Sequence, residues 1–292
     1  VPRYSEITSR SEVDLSNCLR GDLSLKIPIF AAPMDTVSGV DMAVGISKLG
    51  GCAIIHRYNT IQDQVDMVRE AKRNGAAILG AAVGATGDYE ERAFALIGAG
   101  ADFICVDIAH GHHLHMKNAL EKLKGNNIKH VMAGNVATGD GYYSLACWGA
   151  DSVKVGIGNG SICSTRIQTG HGVPSVTAIQ ECHNISLTLP NPPAIIADGG
   201  IKNSGDIVKA IACGADFVML GSLLAGTKES PGELITSTNG TRKVYRGMAS
   251  REAQTNWRGR SSAPEGISTT IPYKGDLEPI FMDLVLSLIH IS

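Results

Sequence analysis

The sequence has no surplus of charge of either sign. Its 26 basic and 28 acidic residues nearly cancel, so there is no basic excess to gather into a nucleic-acid or membrane-surface footprint. No apolar run approaches the roughly 18 residues needed to span a bilayer, and no signal-peptide pattern opens the chain. The seven cysteines are odd in number and scattered, without a Cys-x-x-Cys pair. In a chain of this size they read as reduced thiols of a cytoplasmic protein and not as a disulfide framework. Aromatic residues are few, at 5%, whereas glycines number 34. Small residues let helices and strand ends pack closely and let backbone approach a ligand.

What is present is a chain of 292 residues, 43% apolar, an ordinary size for one α/β barrel of about 250 residues. Short apolar runs alternate with longer amphipathic stretches. The runs are Ile29-Met34, Cys52-His56, Ala77-Val83, Phe103-Ala109, His130-Val136, Ser152-Ile157, Ala194-Gly199 and Phe217-Ser222. Each is apolar nearly throughout, as parallel strands buried on both faces are. Helical patterns lie between them, at Ile61-Asn74, Tyr89-Gly98, His115-Lys124, Tyr142-Trp148, Val176-Cys182 and Ser204-Cys213. Three strands open on the same corner: Gly100-Ala101-Asp102, Gly149-Ala150-Asp151 and Gly214-Ala215-Asp216. The glycine suits a helix C′ position with positive φ. Eight strands with repeated corners predict a closed (β/α)8 TIM barrel, with an open doubly wound sheet as the alternative. The expected organisation is one barrel domain over 1–292, truncated at both ends, with an active-site flap at 227–272. The chain opens on Val1, and Ser287-Ser292 resembles translated sequencing adapter. Residues after about Leu286 are therefore expected to form no native element.

Four segments carry candidate chemistry, and all follow strands, where barrel active sites lie. In Gly156-Ile157-Gly158-Asn159-Gly160-Ser161-Ile162-Cys163-Ser164-Thr165, three glycines alternate after a strand. The spacing is not the dinucleotide fingerprint, and no helix is expected to open directly after it. Such a loop can turn backbone groups towards an ion or phosphate. Cys163 would be exposed at its far end, with Arg166 favouring the thiolate; a buried, incidental cysteine is the alternative. Asp198-Gly199-Gly200 and Leu220-Gly221-Ser222 follow strands seven and eight, the usual phosphate-binding pair in such barrels, and Asp198 suits ribose hydroxyls. Helix caps and tight corners are the alternative. Asp107-Ile108-Ala109-His110-Gly111-His112-His113-Leu114-His115 is histidine-rich without ligand spacing for a tetrahedral metal, and reads as a polar loop facing a cofactor. Asn135 points into the same mouth. Finally, Tyr245-Ser250 and Ala263-Gly266 could form a polar flap whose Glu265 shuttles a proton, or a solvated surface loop.

Taken with Ser9-Arg10-Ser11-Glu12-Val13-Asp14, Ala32-Pro33-Met34-Asp35-Thr36-Val37 and Tyr245-Arg246-Gly247-Met248, these segments resemble the IMP dehydrogenase/GMP reductase family over nearly the whole chain. The resemblance implies that Cys163 attacks C2 of a purine nucleotide to form a thioimidate. It implies that Thr165 and Glu265 move protons, and that Ser161, Gly200, Gly221, Ser222 and Tyr245 hold the phosphate. Asp198 would hold the ribose, with Gly199, Gly247 and Met248 also against the nucleotide. Asp107, Ala109 and Asn135 would face a nicotinamide cofactor. Carbonyls of Gly158, Gly160 and Cys163 would hold a monovalent cation, K+. A homotetramer is also implied. Within the family, the link from His56 to Ala77 leaves no room for an inserted regulatory domain, and the flap from Gly247 to Glu265 has no Arg-Tyr pair to activate water. Ser9-Glu12 and Gln168-Thr169-Gly170 look reductase-like, whereas Val173-Pro174 and Tyr245-Arg246-Gly247-Met248, with Pro272-Tyr273-Lys274-Gly275, look dehydrogenase-like. Arg57 stands where some reductases have Lys. The flap chemistry points to GMP reductase with NADPH. The alternatives are IMP dehydrogenase with NAD and a nucleotide-binding barrel without turnover.

Overall fold

The protein is described here as a computed structural model covering residues 7–9, 12–20, 22–238 and 240–289; Arg10 and Ser11 of the N-terminal motif lie outside the described residues. A short hairpin comes first, β1 (Asn17–Cys18) with β2 (Ser24–Leu25). Eight parallel strands follow: β3 (Ile29–Ala31), β4 (Cys52–Ile55), β5 (Leu79–Val83), β6 (Phe103–Asp107), β7 (Val131–Val136), β8 (Ser152–Val155), β9 (Ala194–Asp198) and β10 (Phe217–Leu220). They pair in chain order, and β10 closes on β3 through Val218–Ile29 and Leu220–Ala31. This is the expected (β/α)8 barrel. Several strands stop short of their predicted ends: β3 at Ala31, β6 at Asp107, β8 at Val155 and β10 at Leu220. Past those points β3, β6 and β8 each keep one more bond to a neighbour, Ala32 N to the Leu220 carbonyl at 3.0 Å, Ile108 N to the Gly134 carbonyl at 2.9 Å and Gly156 N to the Val136 carbonyl at 2.8 Å, and the chain then lines the barrel mouth.

The helices are α1 (Val40–Lys48), α2 (Ile61–Arg73), α3 (Tyr89–Ala99), α4 (Leu114–Gly125), α5 (Gly139–Cys147), α6 (Thr165–Thr169), α7 (Ser175–Ser186), α8 (Ser204–Ala212), α9 (Arg251–Arg258) and α10 (Leu277–Leu288). Those between strands bury one apolar stripe against the barrel, as Val65, Val68 and Ala71 do on α2. The start of α2 is fixed by Thr60, whose hydroxyl accepts from the Asp63 N–H at 3.1 Å. Phe30, Phe103 and Phe217, three of the chain's five phenylalanines, meet inside the barrel with Leu19 and Leu25 of the hairpin. Gly80 makes room for this plug: a Cβ there would fall 2.3 Å from the Phe103 ring.

The repeated Gly-Ala-Asp corner has one physical explanation. Gly100, Gly149 and Gly214 take φ of 110°, 97° and 106°, which lets the chain leave each helix sharply. The aspartate then accepts an N–H from the first or second residue of the preceding strand: Asp102 from Leu79 at 2.7 Å, Asp151 from Val131 at 2.8 Å, and Asp216 from Ile195 at 2.7 Å. Lys72 and Lys124 pair with the first two at 2.9 Å each. The repeat is thus a device for registering one βα unit on its predecessor.

Two expectations need correction. The stretch after β10 is not an open loop. It folds into an antiparallel sheet of β11 (Leu234–Ser237), β12 (Gly240–Arg246) and β13 (Ser268–Pro272), with α9 between the last two strands. Cross-strand pairing of β-rich residues such as Val244 with Thr270 supplies the order that polarity concealed. Nor does order stop at Leu286. Helix α10 continues to Leu288, which is buried, and Ile289 packs partly buried against the same core because the helix's apolar stripe carries through. His290–Ser292, including Ile291, lie outside the described residues.

Candidate active site

The strand ends and the flap enclose a cleft of about 1140 Å³ at the barrel mouth. Every residue singled out above for a catalytic, nucleotide, cofactor or cation role lines it.

The Gly-rich loop leaves β8 close beside β9. At Gly156 (φ 147°) a Cβ would overlap the Asp198 carbonyl oxygen. Helix α6 opens immediately after Cys163, with Ser164 at its N-cap position, contrary to the expectation that no helix follows. The Cys163 N–H returns to the Gly160 carbonyl at 3.1 Å and closes the turn. Arg166 is engaged within the loop. Its guanidinium donates to the Asn159 side chain and to the Val173 carbonyl, bracing both ends of the loop. Cys163 itself is part-buried and not exposed, because the flap covers it. Ser164 N donates to the Glu265 carbonyl at 2.8 Å and Ile267 N to the Ile162 carbonyl at 3.1 Å.

That pairing builds a chain of three side chains. The Cys163 thiol donates to the Thr165 hydroxyl at 3.2 Å, and the Thr165 hydroxyl donates to Glu265 Oε2 at 2.7 Å. A proton on sulfur therefore has a continuous path to a carboxylate that the sequence places a hundred residues away.

Deeper in the cleft, β6, β7, β8 and β9 present Asp107, Asn135, Lys154 and Asp198. Lys154 Nζ lies 2.5 Å from Asp107 Oδ1 and 3.2 Å from Asp198 Oδ2. Asn135 is not free to face a cofactor with its amide nitrogen, which donates to the Gly156 carbonyl at 2.8 Å and to Asp198 Oδ2 at 2.9 Å. Burial alone would raise Asp107; the Lys154 charge and hydrogen bond, with Arg57 behind them, outweigh it and hold the carboxyl below its ordinary range.

At the opposite end, Gly200 (φ 83°), Gly221 and Ser222 form two tight corners. The Tyr245 hydroxyl lies 3.4 Å from Ser161 Oγ, and burial pushes its pKa up, keeping it a neutral donor. Gly221 admits this approach, since a Cβ would come within 3.3 Å of the Tyr245 oxygen. The strand bearing Tyr245 is pinned next door: Arg246 binds Asp35 Oδ2 through Nη2 at 2.5 Å and Nε at 3.0 Å. Of the four histidines, His110 and His112 line the cleft. His113 and His115 stack on each other with centroids 4.8 Å apart, and His113 caps α4.

Four residues were missed in the sequence. Lys154 announced itself as a lone charge inside a buried strand. Asp35 and Arg246 each lie in a quoted motif, but their pairing across 211 positions has no local signal. Trp257 of α9, which packs on Tyr58 and Arg92, stood in a segment that read as polar.

The IMP dehydrogenase / GMP reductase domain family matches residues 1–291. The chain is 39% identical to inosine-5'-monophosphate dehydrogenase of Cryptosporidium parvum, over 98% of this chain and 83% of that protein. It is 38% identical to GMP reductase of Photobacterium profundum, over 97% and 84% respectively. A crystal structure of a cysteine-to-alanine variant of GMP reductase from Trypanosoma brucei, in complex with guanosine 5'-monophosphate, shares the fold with a TM-score of 0.93. Its identity is 28%, and the match covers 99% of this chain and 89% of that one.

Proposed function

The chain belongs to the IMP dehydrogenase / GMP reductase family, and from that premise we propose that it is a GMP reductase converting GMP and NADPH to IMP, ammonia and NADP. The observation that carries this reading is the Cys163–Thr165–Glu265 hydrogen-bonded chain. Deamination needs a group that first removes the thiol proton and later returns it to a departing amine. A carboxylate reached through one hydroxyl can do both.

In this reading the sulfur proton passes to Thr165 as the Thr165 proton passes to Glu265. The thiolate adds to C2 of the guanine base, a carbon too weakly electrophilic for water. The proton then returns from Glu265 through Thr165 to the 2-amino group. The C2–N bond breaks, ammonia leaves, and sulfur remains bonded to C2 as a thioimidate. The nicotinamide cofactor, when bound, supplies the hydride that C2 accepts. The C–S bond then breaks with its electron pair returning to sulfur, IMP is released, and one solvent proton restores the thiol.

The remaining residues bind and orient. Asp198, fixed by Asn135 and Lys154, accepts from the ribose hydroxyls. Gly200, Gly221, Ser222, Ser161 and Tyr245 donate to phosphate. Gly199, Gly247 and Met248 close against the nucleotide. Asp107 and Ala109 face the nicotinamide end. Arg57 fits an anionic cofactor there, because its Nε is buried without a partner. The carbonyls of Gly158, Gly160 and Cys163 would supply oxygen donors of the type that K+ takes, on a turn that the Cys163 N–H closes against the Gly160 carbonyl.

The test is product analysis with GMP plus NADPH and, separately, IMP plus NAD. IMP and ammonia from the first pair are expected. NADH from the second pair, with no IMP from the first, would assign the dehydrogenase branch instead.

A further inference from the structure

Lys154 is the single charged residue in β8 and is 2% exposed. A lone ammonium so placed would be costly, since burial opposes its charge. It is retained between two carboxylates contributed by different strands. Asp107 comes from β6 and Asp198 from β9, at 2.5 Å and 3.2 Å. The other groups facing this cluster are Arg57, beyond the end of β4, and the buried Cys105 thiol of β6, which burial pushes up to about 12 and thus keeps neutral. Burial works against the Lys154 charge, yet Asp107 and Asp198 together raise its pKa above the ordinary lysine value.

The two carboxylates sit at different ends of the cleft's work. On the reading given above, which this inference rests on, Asp198 takes the ribose and Asp107 the cofactor. We propose that Lys154 is a positioning residue shared by both ends, holding Asp107 and Asp198 in their binding orientations and coupling occupation of one end to the other. One ammonium is divided between two acceptors. When ribose hydroxyls donate to Asp198, its demand on Lys154 falls, and the ammonium is freer to fix Asp107. Nucleotide therefore preorganises the cofactor end, and by linkage the cofactor tightens the nucleotide by the same factor.

The test uses Lys154→Met and Lys154→Arg in the full chain. Carboxyl-carbon NMR of labelled aspartates, assigned with Asp107→Asn and Asp198→Asn, is read beside steady-state kinetics. In Lys154→Met the Asp107 carboxyl should titrate about 1–3 pH units higher than in the parent, the size of shift an opposite charge exerts at this range. KM for nucleotide and for cofactor should both rise, roughly tenfold or more, and the acid limb of kcat/KM should move to higher pH in step with the carboxyl. Lys154→Arg should restore the low titration and part of the activity. A folded Lys154→Met with parental titrations and pH profile overturns the proposal. If Lys154→Met does not fold, the charge-matched Lys154→Met/Asp107→Asn variant takes its place. It should bind GMP with a raised cofactor KM, and an unchanged cofactor KM overturns the proposal. Shifted titrations in a parent protein that turns over neither GMP nor IMP would instead overturn the reading beneath it, and the proposal with it.

Discussion

The Thr165 hydroxyl donates to the Glu265 carboxylate across 2.7 Å, joining the loop after β8 to a flap that leaves the barrel only after β10. Because Ser164 N also bonds the Glu265 carbonyl, both the backbone and the side chain of that residue are held. Glu265→Gln keeps the shape and removes the ionisable proton. Turnover should fall by roughly 10²–10⁴-fold, the range for a general acid or base, with GMP affinity nearly unchanged. Single-turnover ammonia release checks this, and a loss confined to GMP affinity would count against a proton-shuttling role.

Cys163→Ala should bind nucleotide and fail to turn it over. Apart from Ser161 on the same loop, the groups assigned to phosphate and ribose lie on other loops, and the thiol's partner is Thr165 and not one of them. Loss of a nucleophile costs on the order of 10⁴-fold or more. Calorimetric GMP binding beside a turnover assay separates the two effects. Substantial residual turnover would remove the cysteine from the mechanism.

Trp257 anchors the flap. Its ring sits 5.9 Å from the Tyr58 ring and 5.8 Å from the Arg92 guanidinium carbon. Arg92 is itself buried and held by Asp88 and Gln64 at 2.7 Å and 2.8 Å. Trp257→Ala should leave the barrel's thermal transition nearly unchanged, because its contacts are to the rim and not to the core. It should lower kcat by about 10–100-fold by misplacing Glu265, since an ångström of misplacement can cost that much. Parental kinetics in this variant would show that the flap is held elsewhere.

His56 and His130 are both pushed below the ordinary value of 6.5, first of all by burial. The native state keeps them neutral, whereas the unfolded chain protonates them near 6.5. Their contribution to stability is present above that value and is lost as pH falls from it towards the lower native pKa values. The urea midpoint should therefore drop between about pH 7 and pH 5.5. His56→Gln with His130→Gln should flatten that segment of the curve. An equally steep fall in the double variant would place the acid sensitivity in other groups.

The barrel could be read from the sequence because its determinants are local. Eight apolar runs of strand length, most of them ending in or followed by Gly, Asp or His, can be buried on both faces only in a parallel sheet wrapped by helices. The Gly-Ala-Asp corners need a positive φ that glycine permits. The loop around Cys163 was legible for the same reason, since its glycines and its thiol are neighbours in the chain. What the tertiary structure decided is everything that depends on meeting across the barrel. The hundred-residue step from Thr165 to Glu265, the pin between Asp35 and Arg246, and the sharing of Lys154 by Asp107 and Asp198 carry no periodic signal, because hydrogen-bond partners are chosen by distance in space and not by spacing in sequence. The flap's antiparallel sheet escaped notice because β12 and β13 are mostly polar in sequence and β11 leaves Leu234 and Ile235 exposed, and pairing between strands, which no single segment encodes, is what orders them.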